Sequence, residues 1–184
     1  MNREELNNFL SDIYNRAAKI RLLVLDVDGV LTDGSIIYTA AGDEIKCFHV
    51  RDGNGIRMVM QAGIEVALIT GRRSEAVAHR AKNLGISQVF QGVRDKLEVL
   101  RTLQSDLGVS TDETAVMGDD LVDLPIMLTA GLAAAVADAS REVRENSHLV
   151  TTAFGGKGAV REVCEILLKA KGLWDDILRQ FYQT

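Results

Sequence analysis

Two aspartates two residues apart, Asp26 and Asp28, follow the apolar run LLVL and open a glycine-containing turn in LLVLDVDGVLTDG. A short apolar run ending in a turn reads as a buried parallel strand, and the carboxyl ends of such strands line the crevice where open α/β sheets hold ligands. Two carboxylates this close repel unless a cation sits between them or one takes a proton. The pair asks for a hard cation, most simply Mg²⁺. Taken alone, an isolated DxD is more often a pair of turn aspartates capping backbone groups.

Three more polar signals recur at the ends of later apolar runs. Thr70 closes the strand-like run in VALITGRR, Lys96 opens a helical pattern in GVRDKLEVL, and Asp119, Asp120 and Asp123 follow a further run in AVMGDDLVDLP. A nucleophilic carboxylate, a hydroxyl, a lysine and a second acidic cluster form a set suited to a phosphoryl group, whose charge must be neutralised before an anion can attack it. In this order the four motifs resemble those of the haloacid dehalogenase superfamily of phosphohydrolases, over about four-fifths of the chain.

The resemblance implies roles. Asp26 is the nucleophile, forming an aspartyl-phosphate, and Asp28 is the acid that protonates the leaving alkoxide and the base that activates water. Mg²⁺ is expected on the carboxylates of Asp26 and Asp119 and on the backbone carbonyl of Asp28. Thr70 and the amide of Gly71 bond the phosphoryl group, Lys96 offsets its charge, Asp123 supports the metal shell and Lys96, and Asp120 either supports or caps a helix start.

The elements that must position these residues alternate regularly. An amphipathic helix carrying Leu6, Phe9, Leu10, Ile13, Tyr14 and Ala17 precedes the strand Leu22–Asp26. A helix near 54–62, a strand 65–69, a helix near 74–84, a short strand near 89–90, a helix 95–107, a strand 114–117, a helix from about 123 and an apolar run 132–136 follow. This α/β pattern predicts a doubly wound parallel sheet in a single domain spanning 1–184. Residues 34–50, GSIIYTAAGDEIKCFHV, break the alternation and predict a β-hairpin. That insert is too short for a separate cap domain, and so is the interval of about 25 residues from Thr70 to Lys96. A site left open in this way, beside exposed Ile36, Ile37 and Phe48, points to a homo-oligomer whose hairpins meet near the active sites. Leu173, Trp174, Ile177, Leu178 and Phe181 predict a helical, docked tail over 173–184.

The segment FGGKGAVREVCEILLKAKG is a glycine-rich loop entering a helix, able in principle to offer amides to an anion. Together with HVRDGNGI, ITGRRSEAV and AAVADAS it resembles one branch of the superfamily, the 3-deoxy-D-manno-octulosonate 8-phosphate phosphatases. That resemblance implies hydrolysis of this eight-carbon sugar acid phosphate on the way to lipopolysaccharide, with a capless, Mg²⁺-dependent homotetramer joined at the hairpins. The substrate carboxylate calls for an arginine, and Arg51, Arg72 and Arg80 are the candidates. A sister branch acting on nine-carbon ulosonate 9-phosphates tends to carry Glu at the position of Arg72 and Lys at that of Asn83. This sequence has neither, which favours the eight-carbon acid over that branch or a broader set of sugar phosphates. A receiver-like phosphoaspartate switch, the non-enzyme alternative, lacks an acid/base at the Asp28 position and distributes its acids differently.

Composition sets the remaining limits. The chain has 184 residues and a net charge of −5 with no basic block, which argues against nucleic acid and anionic membranes as partners. No apolar run approaches the ~18 residues of a membrane span, and the acidic start is unlike a leader, so the expected location is cytoplasmic. Cys47 and Cys164 lack metal or redox spacing and are expected as reduced, half-buried thiols, and His49, His79 and His148 lack paired spacing.

Overall fold

The computed structural model describes residues 2–182, without the side chains of Arg3 and Phe181. Its centre is β1 (Leu22–Leu25), whose four side chains are fully buried. Each such burial contributes on the order of 1.5–3 kcal/mol. β4 (Glu65–Thr70) pairs with β1 on one side and β6 (Thr114–Gly118) on the other, with β5 (Gln88–Gln91) beyond β4 and β7 (Leu132–Ala135) and β8 (Leu149–Val150) beyond β6. All these pairings are parallel, in the order β5-β4-β1-β6-β7-β8. The order reverses at β1, so a crevice opens outside the carboxyl ends of β1, β4 and β6.

Helices α1 (Arg3–Lys19) and α2 (Val50–Gln61) both pack on α7 (Ala159–Ala170), and α4 (Lys96–Leu107) packs on β4 and the short α5 (Leu124–Met127). α3 (Glu75–Leu84) ends on Gly85 at φ 85°, the left-handed cap expected from the sequence. α2 begins at Val50 rather than near residue 54, because its early glycines serve close packing and not a turn. A side chain at Gly55 would stand 3.1–3.2 Å from Arg161 and Cys164 of α7. α6 (Arg141–Glu145) and β8 are too short to leave a periodic signal and are additions to the sequence-based elements.

The insert is a small antiparallel hairpin, β2 (Ile37–Tyr38) with β3 (Glu44–Ile45), paired Ile37 to Ile45 and Tyr38 to Glu44. It is shorter than the 34–50 span, since extended backbone flanks both strands and α2 claims Val50. No cap domain accompanies it among the described residues. Ile36, Ile37, Tyr38 and Ile45 are exposed on it.

Of the apolar residues on the amphipathic α1, Ile13 and Ala17 are buried, while Leu6, Phe9, Leu10 and Tyr14 stay exposed. The tail is helical, α8 (Trp174–Tyr182), with Trp174 under the cations of Arg161 and Lys169. Phe181, expected in its apolar stripe, lies outside the described side chains. The cysteines are free but not half-buried: Cys47 is exposed and Cys164 fully enclosed. No helix among the described residues is long and apolar enough to cross a membrane.

Candidate active site

Asp26 extends β1 by one residue, its amide donating to Met117 O of β6 (3.1 Å), and its side chain is 8% exposed. The chain then turns over Val27 O, which accepts from the amides of Val30, Leu31 and Thr32. Gly29 has φ 99°, and a Cβ there would meet Asp119 Oδ2 at 2.1 Å, so only glycine lets the two acidic loops close on each other. Thr70 ends β4, Lys96 opens α4 behind its cap Asp95, and Asp119 follows β6. Three strand ends and one helix start thereby converge on a cavity of about 180 Å³ lined by Asp26, Asp28, Thr70, Gly71, Arg72, Lys96, Asp119, Asp120 and Val122.

The floor of this cavity is a buried ionic network. Lys96 Nζ donates to Asp26 Oδ1 (2.6 Å) and to Asp123 Oδ1 (2.5 Å), and Asp123 is wholly buried. Asp123 Oδ2 accepts from the amides of Asp119 (3.1 Å) and Asp120 (3.4 Å). Both Asp123 oxygens are therefore engaged, which makes it a brace for the lysine and the acidic loop. Asp120 caps the following 3-10 turn by accepting from Leu121 N (2.8 Å), the capping half of its expected alternatives.

Electrostatically the floor is short of positive charge. Burial, then repulsion from Asp123, pushes Asp26 up to about 6 despite the opposing pull of Lys96. Burial and repulsion from Asp26, Asp123 and Asp120 push Asp119 up to about 7. Burial opposes the Lys96 charge, yet Asp26 and Asp123 outweigh it and hold it ionised. Asp26, Asp119 and Asp123 each place a carboxylate oxygen within 4.8 Å of the others. Among the described residues no donor reaches the Asp119 carboxylate, and the carbonyl of Asp28 accepts no hydrogen bond. Three carboxylates against one lysine, two of them with oxygens to spare, fit a divalent cation.

At the rim the structure supplies two residues that the sequence reading did not single out, Glu44 and Lys46 of the hairpin. Lys46 pairs with Asp28 and Glu44, and Arg72 donates to Glu44 Oε2 (2.8 Å) and Tyr38 Oη (3.3 Å). These cations hold the Glu44 carboxyl at about 2. Of the three candidate arginines, Arg72 lines the cavity. Arg80 does not: its Nη2 donates to His49 O (3.3 Å) and its guanidinium lies over the Phe48 ring. Arg51 is exposed at the start of α2 and likewise lines no part of the cavity.

The glycine-rich loop also differs from its anion-site reading. The amides of Gly158 and Arg161 at the start of α7 are taken by the buried carboxylate of Asp52 (3.3 and 2.8 Å). Gly155 lies so close to the turn after β1 that a Cβ would stand 1.7 Å from Gly29 O. The loop buttresses that turn from behind.

Comparison with known proteins agrees with this geometry. The family described as haloacid dehalogenase-like hydrolase matches residues 89–160. The 3-deoxy-D-manno-octulosonate 8-phosphate phosphatase of Yersinia pestis is 48% identical over 160 residues, 87% of this chain and 86% of the relative. The crystal structure of the Moraxella catarrhalis phosphatase of the same description, in complex with magnesium, phosphate and KDO, is 46% identical with a TM-score of 0.91, covering 93% of this chain and 98% of that one. A Legionella pneumophila structure ascribed to the HAD superfamily, subfamily III A, gives a TM-score of 0.93 at 38% identity over 98% of this chain and 99% of that one. A parallel core with a hairpin insert, a buried Asp–Lys–Asp floor and near full-length kinship lead to one conclusion: this chain is a haloacid dehalogenase-like hydrolase and belongs to the 3-deoxy-D-manno-octulosonate 8-phosphate phosphatase family.

Proposed function

We propose that the protein hydrolyses 3-deoxy-D-manno-octulosonate 8-phosphate to the free sugar acid and phosphate, as its relatives in Yersinia pestis and Moraxella catarrhalis are named for doing. The observation that carries the chemistry is the state of Asp26. Its Oδ1 is held by Lys96 and, among the described residues, no other side chain donates to this carboxylate, so Oδ2 is available to attack phosphorus. Attack forms the Asp26–phosphoryl bond while the bond to the sugar oxygen breaks. Asp28 gives that oxygen a proton, then takes one from the water that releases phosphate from Asp26. Thr70 Oγ1 and the Gly71 amide, both at the cavity, hydrogen-bond the phosphoryl oxygens, and Lys96 balances their charge. The carboxylates of Asp26 and Asp119 and the carbonyl of Asp28 would hold Mg²⁺, which when bound neutralises the phosphate and the acidic floor.

Arg72, which lines the cavity, is the arginine we favour for the substrate carboxylate; Arg51 and Arg80 line no part of it within one chain. The cavity is smaller than the roughly 300–1,000 Å³ of ordinary ligand pockets, so the sugar end would project past the rim. Exposed Ile36, Ile37, Tyr38 and Ile45 support a homotetramer in which hairpins meet and a neighbour covers that end. The reading is of one domain over 1–184 at work in the cytoplasm, in lipopolysaccharide precursor synthesis. Phosphate release from the eight-carbon acid, nine-carbon ulosonate 9-phosphates and hexose phosphates, with and without Mg²⁺, tests it. A Mg²⁺-dependent preference for the eight-carbon acid is expected, and flat activity across the panel would remove the substrate assignment.

A further inference from the structure

The hairpin brings a lysine to Asp28 in the way that α4 brings one to Asp26. At the floor, Lys96 bridges Asp26 and Asp123. At the rim, Lys46 Nζ donates to Asp28 Oδ1 and stands 2.7 Å from Glu44 Oε1. Glu44 Oε2 accepts from Arg72 Nη2 at 2.8 Å, and Arg72 Nε lies 3.7 Å from Asp28 Oδ2. The four side chains close a ring of alternating sign with no net charge. Its open edge is the last, too long for a hydrogen bond, and there Arg72 Nε is buried without a partner. The Lys46 side chain is 1% exposed and is absent from the cavity lining, so its contact with Asp28 is shielded from the opening.

We infer that Lys46 and Glu44 are positioning residues for the leaving-group step, an inference that rests on the phosphatase reading above. Lys46 fixes one oxygen of Asp28 and turns the other, Oδ2, toward the leaving oxygen. Glu44 holds Lys46 and Arg72 in register. A carboxylate free to rotate would meet the alkoxide only part of the time, and misplacement of about 1 Å costs roughly 10²-fold in rate. The hairpin is then part of the catalytic apparatus as well as the rim of the cavity.

Leaving-group dependence tests this, because p-nitrophenolate departs without a proton and a sugar alkoxide does not. Glu44→Gln and Lys46→Met are compared with wild type on the sugar acid phosphate and on p-nitrophenyl phosphate, with melting temperatures as a check of folding. We expect the single-turnover rate of phosphoryl transfer from the sugar phosphate to fall about 10- to 100-fold and the burst rate of p-nitrophenolate release from the aryl ester to change less than about threefold, with Lys46→Arg regaining most of the loss. Equal losses on both substrates, or none on either, would overturn the positioning role. If Lys46→Met fails to fold, Glu44→Gln decides alone. Wild-type protein that releases phosphate from neither ester would instead sink the phosphatase reading itself.

Discussion

The crevice floor and the crevice rim use the same device, a lysine bridging two carboxylates, on supports of opposite kind. Lys96, Asp26 and Asp123 stand on β1, α4 and the turn after β6, all inside the core. Lys46, Asp28 and Glu44 depend on a hairpin of two-residue strands whose apolar side chains face outward. Nucleophilic attack needs a fixed geometry with water excluded, which a core supplies. Proton transfer to a departing sugar needs an opening through which substrates pass. On the phosphatase reading, the attacking carboxylate stands on the buried core and the proton-transferring one beside the exposed hairpin.

Removing the reacting groups separates the regions most sharply. Asp26→Asn is expected to abolish turnover, by about 10⁴-fold or more, in a phosphate-release assay. Asp28→Asn is expected to cost about 10²- to 10⁴-fold on the sugar phosphate while magnesium still binds, as calorimetry would show.

The braces rank next. Lys96→Met leaves three carboxylates at the floor without their cation, and a stability loss of about 3–5 kcal/mol in metal-free chemical denaturation is expected. Asp28 and Glu44 are partly exposed, so Lys46→Met should cost about 1–2 kcal/mol in the same experiment. Equal losses would erase the contrast.

The floor also has a pH signature. Asp26 and Asp119 titrate at about 6 and about 7 in the folded protein, above their unfolded value of 3.8. Between those values the folded state holds more protons, so their contribution to stability falls as pH rises from about 4 to 7. Asp119→Asn should therefore stabilise the metal-free protein at pH 8, by about 2 kcal/mol after allowance for solvent screening, and have little effect near pH 4. Mg²⁺ should raise the melting temperature of wild type most above pH 7.

The smallest effect lies away from both regions. His148 Nδ1 accepts from Ala133 N (2.9 Å), and burial, with Arg16 nearby, depresses its pKa. A neutral ring is favoured by folding, so this contribution is present above about 6.5 and lost as pH falls below it. His148→Asn, which keeps an acceptor but no titration, should flatten that decline by about 1 kcal/mol in melts at pH 5.5 and 7.5.

The same contrast explains what could be read from the sequence. The strands announce themselves as apolar runs, and the residues at their ends, Asp26, Thr70 and Asp119, converge because parallel strands share their carboxyl ends. Lys96 is legible because a helix start faces that same edge. Lys46 and Glu44 carry no such signal. Their direction depends on how a two-residue ladder folds back over the turn after β1, and IKCFHV has no period that specifies it. Arg80 has plain helical spacing, but its partner in the structure, His49 O, belongs to the bend joining hairpin and α2, which carries no such signal. The glycines of VRDGNG hide the start of α2 until α3 is seen packed against Gly53 and α7 against Gly55.

The division of labour between the two carboxylates is tested most directly by pre-steady-state release of p-nitrophenolate from p-nitrophenyl phosphate. Asp28→Asn protein should show a burst of about one equivalent per site followed by slow turnover, with the phosphate recovered on Asp26 by mass spectrometry, while Asp26→Asn shows no burst. A burst from Asp26→Asn, or wild-type steady turnover by Asp28→Asn without one, would contradict the account.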